Sequence, residues 1–404
     1  MSTSLLYHAF GVRGYRYVRT DYVEGGVRFT IAQEAETCRC PVCRSGNIIL
    51  KGGVEREFRS LPIGGKKVTI VFRVPRVQCR DCGAWRQVAL GFAHPRRSYT
   101  RAFAEYVLEL SRLMTIQDVA VHLGVSWDLV KEIVKGDLAR RFSRPKLKHL
   151  RRIAIDEISI GKGHRYLTIV MDLESGRVVH VGRGKGGDAL QEFWTRLRHS
   201  RAKIEAVAID MSPAYIDAVM THLPTATLVF DRFHVIKLYN DKLSELRRAM
   251  HRELQDTMHK DVLKGARWLL LKRPENLDPT RQEPERLQEA LRLNQPLAIA
   301  YYLKEELHEI WEQDDQETAQ ALLMDWITYA EASGIGILKK FAKTLRFHAW
   351  GILAWYDHPI STGPLEGTNN KIKTMKRQAY GFRDQEFLRL KILGIHESRY
   401  ALVG

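Results

Sequence analysis

The chain has 404 residues, of which 45% are hydrophobic and 27% charged, with a formal net charge of +17. This is a globular composition with room for two or three domains. No run of eighteen apolar residues is present, which argues against a membrane-spanning helix.

The charge is lopsided. Residues 1–150 hold 26 Lys and Arg against 13 Asp and Glu, whereas the rest hold 38 against 34. An excess confined to the first third points to a polyanion-binding region rather than to general solubilising charge. The start, MSTSLLYHAFGVRGYRY, lacks the basic-then-apolar order of a secretory signal, so the expected location is cytoplasmic.

Four of the five cysteines form two pairs, CPVC (Cys40, Cys43) and CRDC (Cys79, Cys82). Each pair can clamp one edge of a tetrahedral ion, so together they predict one structural Zn²⁺. Disulfides are the alternative, disfavoured in a cytoplasmic chain. Cys38 is left as a spare thiol, or as a replacement for Cys40 if the pairing shifts. Between the pairs, a Gly64-Gly65 turn followed by an alternating run from Lys67 to Val77 predicts a β-hairpin. Downstream, MTIQDVAVHLGVSWDLVKEIVKGDLARRF offers Thr115 as a helix cap, a turn at Gly124-Val125 and Ser126 as a second cap. That is the helix-turn-helix pattern, with an ordinary helical hairpin as the alternative. Trp127, Asp128 and Lys131 would face base edges. Arg140, Arg141 and Arg144 would lie along phosphates.

Beyond residue 150 the runs IAIDEISI, RYLTIVMDLE and GRVVHVGRG read as three strands. A helix, a strand ending on Asp210, a helix and a strand ending on Asp231 follow. This order predicts a mixed five-stranded sheet with helices packed on it. The GRGKGG stretch matches a bare dinucleotide fingerprint. A loop after a meander strand that carries Arg183 and Lys185 suits DNA better. Residues 241–350 read helical, with Trp268, Trp311 and Trp326 as expected core. In STGPLEGTNNKIKTMKRQ, Pro364 marks a helix start and Glu366 lies in its first turn. Lys371, Lys373, Lys376 and Arg377 follow on or near one face, where they would hold DNA phosphates.

Asp156 and Glu157 sit inside an apolar strand, where charge is costly. If the strands of Asp156 and Asp210 are neighbours, two carboxylates side by side need a cation between them. Hard oxygen ligands suit Mg²⁺ or Mn²⁺, and a pair of such ions supports phosphoryl transfer. Glu366 is the candidate third acid, although taken singly each acid also reads as a surface or capping residue.

The ordered set AIDE, AIDMSPAY, DRFHVIK and GPLEGTNNKIK, behind a double CxxC and a helix-turn-helix, resembles the ISL-three family of bacterial insertion-sequence transposases. The resemblance runs from about residue 35 to 400. It implies a multidomain α+β and α/β chain. The expected parts are a zinc-binding β unit (1–95), a helix-turn-helix and basic linker (96–150), the first part of a ribonuclease-H-like core (151–240), a helical insertion (241–350), and the core's last helix and tail (351–404). It implies Asp156, Asp210 and Glu366 as a metal-binding catalytic triad holding two Mg²⁺ or Mn²⁺ ions. Glu157, Asp231 and His234 become accessory residues, Glu157 either supporting the site or facing away from it. The implied partners are double-stranded DNA, as terminal inverted repeats and target, and a second copy of the chain on paired ends. The implied setting is the bacterial nucleoid. A catalytically inactive DNA-binding derivative and another ribonuclease-H-like nuclease such as a resolvase are the alternatives.

Overall fold

The computed structural model describes residues 5–161, 163–253 and 257–397. They form two compact units, one ending at Ser143 and the other running from Arg144 to His396.

The first unit opens with α1 (Leu5–Phe10), β1 (Arg16–Val23) and β2 (Gly26–Ala32). The long hairpin of β3 (Ile48–Ile63) and β4 (Lys66–Cys79) follows, then the short β5 (Trp85–Gln87). The hairpin turns through Gly64 at φ +55°, a left-handed conformation that glycine adopts without a Cβ clash. The sheet order is β1-β2-β4-β3, with β5 paired to β4. Phe10, Phe58, Ile70 and Phe72 are buried in its core. Three helices complete the unit, α2 (Arg101–Leu110), α3 (Ile116–Leu123) and α4 (Trp127–Phe142). Thr100 caps α2 by accepting the Phe103 N–H at 3.1 Å. The Arg59 guanidinium on β3 donates to the Leu123 carbonyl at 2.7 Å, tying the hairpin to the end of α3.

The second unit has the predicted element order: β6 (Arg152–Gly161), β7 (Arg165–Asp172), β8 (Val178–Arg183), α5 (Gln191–Ser200), β9 (Ala206–Ile209), α6 (Pro213–His222) and β10 (Thr227–Phe230). The sheet order is β10-β9-β6-β7-β8. β6, β7 and β8 form an antiparallel meander. β9 runs parallel to both β6 and β10. The first strand is therefore central, the arrangement of a ribonuclease-H-like sheet. β9 is buried along its whole length, as a parallel strand covered on both faces must be.

After the sheet come α7 (Arg232–Glu253), α8 (Thr257–Gly265), α9 (Glu283–Leu293), α10 (Gln295–Glu309), α11 (Gln316–Ala332), α12 (Gly336–Leu353), α13 (Gly363–Gln378) and α14 (Gln385–Leu393). One hydrophobic cluster joins sheet and helices, with Ile153, Phe193, Phe230, Tyr239, Trp326 and Phe341 among its members. Trp311 and Trp326 are core residues as expected, but Trp268 is 63% exposed. It precedes a tight turn in which Leu269 and Leu270 take the buried places, and the Arg267 guanidinium lies 4.5 Å from its ring.

Candidate active site and metal-binding cysteines

In the first unit the two CxxC turns face each other. The Cys40 N–H donates to Ser45 and the Cys79 N–H to Ala84, each at 2.9 Å, so both turns fold by the same pattern. The residue after each second cysteine is left-handed, Arg44 at φ +63° and Gly83 at φ +70°. Asp81 clamps the turns together by accepting from the Ser45 hydroxyl and from Asn47 Nδ2. The sulfurs of Cys40 and Cys82 lie 3.6 Å apart and those of Cys43 and Cys79 3.5 Å apart. A tetrahedral ion with bonds of about 2.3 Å separates its sulfurs by about 3.8 Å, so the quartet fits a structural Zn²⁺. The N–H groups of Cys43 and Val42 lead in pulling the Cys40 thiol down to about 6, whereas Cys43, against the pull of the Ser45 N–H, is pushed up by the thiols crowded beside it. Cys38 is buried in the adjoining core, with its thiol near the Glu34 carbonyl, and stands outside the quartet.

The helix-turn-helix is capped as its sequence requires. Thr115 and Asp118 form a reciprocal capping box on α3. Gly124 ends α3 at φ +59°, and Ser126 caps α4 by accepting the Leu129 N–H. Val130, Ile133, Val134 and Leu138 are buried. Trp127 and Asp128 are exposed in the first turn, and the Lys131 ammonium lies 5.2 Å from the Trp127 ring. Arg140 and Arg141 are exposed but both bridge to Asp137 on their own helix. Arg144, the first residue of the second unit, is exposed.

In the second unit, β6 and β9 pair in parallel from Arg152–Ala206 to Ala154–Ala208. Asp156 and Asp210 each lie two residues beyond the last pair, so one register carries both carboxylates to the same edge of the sheet. Burial leads in pushing Asp156 up to about 6, and repulsion from Asp210 and Glu157 adds to it. The Glu157 N–H and the field of His234 oppose that rise. Glu157 points to the other face, as adjacent strand residues must, and accepts from the Tyr215 hydroxyl of α6 at 3.2 Å. That hydroxyl also meets Thr168 at 3.0 Å and receives the Gly186 N–H at 3.4 Å. The loop bearing Arg183 and Lys185 is therefore moored beside Glu157, and both cations are exposed. A Cβ on Gly182 would lie 1.9 Å from the Ala189 carbonyl oxygen, so this glycine serves a close backbone approach.

Asp231 and His234 do not meet the other acids by hydrogen bond; they fix α13. Asp231 is 1% exposed and accepts from the Thr362 N–H (3.2 Å), the Thr362 hydroxyl (2.8 Å) and His234 Nδ1 (3.1 Å). Burial alone would raise its carboxyl, but these hydrogen bonds outweigh burial and hold it below its ordinary range. Burial likewise opposes charge on His234, yet Asp231, Asp156 and Asp210 together raise its affinity for a proton. Thr362 caps the start of α13 and accepts the Glu366 N–H at 2.9 Å. One turn beyond Glu366, Asn369 Nδ2 donates to Asp156 Oδ2 at 2.8 Å. Among the described residues only the cysteine quartet gathers three or more ligand-type side chains within 4.8 Å. Asp156 and Asp210 are near enough for their charges to repel, and Asp156, Asp210 and Glu366 do not form such a group.

Farther along α13, Lys373, Lys376 and Arg377 line a groove of about 490 Å³ with Ile160 and Tyr380. Lys371 parts from them: it points to His396 at 3.5 Å, because two positions along a helix turn a side chain well away from its neighbours' face. Sequence reasoning missed Asn369, Thr362 and Thr168 altogether, and left Tyr215 without a role. For Asn369 the available signal was its position three residues after Glu366 on the same helix face.

Residues 153–392 match a family profile described as transposase. Residues 36–82 match the zinc-finger of transposase IS204/IS1001/IS1096/IS1165, and residues 88–136 the helix-turn-helix domain of transposase family ISL3. The chain is 34% identical over 388 residues to the transposase for insertion sequence element IS1001 of Bordetella parapertussis, covering 95% of each. It is 32% identical over 394 residues to the transposase for insertion sequence element IS1557 of Mycobacterium tuberculosis, covering 91% of this chain and 87% of that one. A solved Drosophila P element transposase strand transfer complex aligns at a TM-score of 0.36 and 11% identity, over 74% of this chain and 93% of that one. With a relative 34% identical across 95% of both chains and a profile spanning most of the second unit, the chain belongs to the ISL3 family of insertion-sequence transposases.

Proposed function

We propose that this transposase cuts and joins DNA with Asp156, Asp210 and Glu366 as the ligands of two divalent cations, Mg²⁺ or Mn²⁺. The observation that carries the assignment is the shared β6–β9 register, which brings Asp156 and Asp210 to one edge, with α13 and Glu366 tied to that edge through Asn369. When bound, such ions activate the attacking oxygen and stabilise the leaving one. Asp231 and His234 keep α13 in place, and Lys373, Lys376 and Arg377 hold the phosphates of the strand. In the first step a water oxygen bonds to phosphorus, the P–O3′ bond breaks, and the 3′ oxygen leaves as a hydroxyl. In the second, that 3′ oxygen bonds to a target phosphorus and the target's own 3′ oxygen leaves with a proton.

The first unit supplies recognition of the terminal inverted repeats. Trp127, Asp128 and Lys131 reach base edges, while Arg140, Arg141 and Arg144 lie along phosphates and Arg183 and Lys185 add contacts near the core. Its charge excess supports this division of labour. Two ends have to be held together, so the active assembly is a homodimer or larger. It acts in the cytoplasm on the bacterial nucleoid; among the described residues no helix is long and apolar enough to cross a membrane. Incubating the protein with duplex carrying the element's end and Mg²⁺ tests the reading. Cleavage at the element boundary supports it, whereas nicking governed by branched structure, or binding without cleavage, overturns it.

A further inference from the structure

We propose that Asn369 is a fourth member of the cation site: its amide nitrogen positions Asp156, and its amide oxygen receives a water carried by the cation. This deepens the reading above and rests on Asp156 being a cation ligand. Asn369 is 4% exposed, on α13 one turn beyond Glu366. Asp156 has both oxygens engaged, Oδ1 by the Glu157 N–H at 2.7 Å and Oδ2 by Asn369 Nδ2 at 2.8 Å. Its orientation is thus set before any cation arrives. The acceptor-only carboxylate also fixes which way the amide lies, since the flipped amide would set oxygen against oxygen. The Asn369 Oδ1 atom is then left buried with no hydrogen-bond partner in the protein. A buried acceptor without a donor is uncommon and calls for one. Mg²⁺ keeps several of its waters when bound by carboxylates, and such a water is the donor that fits. The neighbouring Asn370 is exposed and cannot take this place.

The test uses the full chain and Mn²⁺, with free Mn²⁺ counted by electron paramagnetic resonance. Asn369→Leu keeps the side chain's approximate volume while removing donor and acceptor; Asn369→Ala is the companion. The midpoint for Mn²⁺ should rise about 10- to 100-fold in both, the range for losing a group that orients a metal ligand. Cleavage should return towards the wild-type rate as Mn²⁺ is raised, separating affinity from turnover. A wild-type Mn²⁺ midpoint in Asn369→Leu overturns the proposal. Asp156→Ala is the control. If it abolishes Mn²⁺ binding while Asn369→Leu leaves it unchanged, only the role of Asn369 fails. If Asp156→Ala also binds normally, the cation reading fails and this proposal with it.

A separate surface carries a second inference. α12 contains no Asp or Glu, and its exposed face bears Lys339, Lys340, Lys343, Phe347 and Trp350, together with Arg346, which bridges to Glu331 of α11 at 2.8 Å. Phe347 is 75% exposed and Trp350 48%. The helix is pinned against the sheet, since a Cβ on Gly351 would lie 2.4 Å from the Phe230 ring. Trp350 packs on that same ring at 5.1 Å, one residue before Asp231. From a basic stripe that ends in exposed rings beside the catalytic edge, we infer that α12 is a track for the DNA flanking the cleaved bond. Phosphates lie along the lysines, and a sugar or base rests on the aromatic end. This rests on DNA lying over the carboxylates. Lysine acetylation footprinting of the full chain, with and without a duplex carrying the element's end, reads it directly. Modification of Lys339, Lys340 and Lys343 should fall severalfold on adding DNA. Protection of Lys373 without protection of these three overturns the track alone; protection of neither overturns the placement of DNA as well.

Discussion

The cysteine quartet and the carboxylates proposed above as cation ligands are built in opposite ways. The cysteines come from two turns at the open end of one hairpin, with facing sulfurs 36 and 42 positions apart in sequence and already near bonding geometry. The carboxylates come from two neighbouring strands and a distant helix, and the hydrogen bond joining that helix to Asp156 spans 213 positions. A closed tetrahedral site has no vacancy for chemistry, so its ion contributes to folding. The acidic edge draws its residues from elements spread across the second unit, and on the proposed reading it must leave room for a phosphate. Breaking the first site should therefore damage structure, and breaking the second should damage chemistry.

The largest effect should follow loss of the zinc site. Cys79→Ser, or removal of metal by a chelator, should lower the unfolding temperature of the N-terminal unit by at least about 10 °C, because metal binding is folding free energy in such units. Elemental analysis should give one zinc per wild-type chain and the same in Cys38→Ser. An unchanged melting curve for zinc-free protein would show that the sheet's own core suffices.

Next is the acid cluster. Asp156→Ala, Asp210→Ala and Glu366→Ala should each lower the cleavage rate by at least about a thousandfold, or about 4 kcal/mol in barrier, while binding to end DNA stays near wild type. The measurement is single-turnover cleavage beside a binding titration. Near-normal cleavage by Glu366→Ala would remove that residue from the site.

These two predictions differ in how readily sequence foretold them. The cysteine spacing and the caps Thr115 and Ser126 act over a few residues, so their structure follows from local chemistry. The strand and helix order of the second unit was legible for the same reason. Long-range partners were not. Nothing near Asp231 announces that it will hold Thr362, 131 positions away, and nothing near Asn369 shows that its amide will be buried against Asp156. Trp268 misled because a large aromatic residue in a helical stretch reads as core, whereas the leucines just after it fill that place. Lys371 lies apart from Lys373, Lys376 and Arg377 because a basic cluster close in sequence spreads around a helix.

A smaller effect belongs to the clamp that fixes α13. Asp231→Ala removes an acceptor of three hydrogen bonds at a buried position and should cost about 3 kcal/mol of stability. Cleavage should fall about 10- to 100-fold through misplacement of Glu366, with Thr362→Val showing a weaker form of the same loss. If Asp231→Ala instead matched Asp156→Ala in cleavage while its stability held, Asp231 would be acting on the substrate and not on the helix.

The smallest effect is one the acidic edge should show without DNA. Asp156 is pushed up to about 6 from the ordinary 3.8, by burial first. A carboxyl raised in the folded state binds more protons there than in the unfolded chain, so its contribution to stability is present at low pH. It is lost as pH rises from about 4 through about 6. In cation-free protein at pH 7, Asp156 therefore opposes folding by up to about 3 kcal/mol. Asp156→Asn, which cannot ionise, should be more stable than wild type at pH 7 by an amount within that limit, and the difference should shrink to nothing near pH 4. Saturating Mn²⁺ should reverse the order at pH 7, because the cation favours the ionised wild-type carboxylate and has lost a ligand in the variant. Thermal unfolding across pH, with and without Mn²⁺, measures all three statements. A gap between the two proteins that stays constant from pH 4 to pH 7 would mean that Asp156 is not raised, and that the acidic edge holds its negative charge at no cost before a cation arrives.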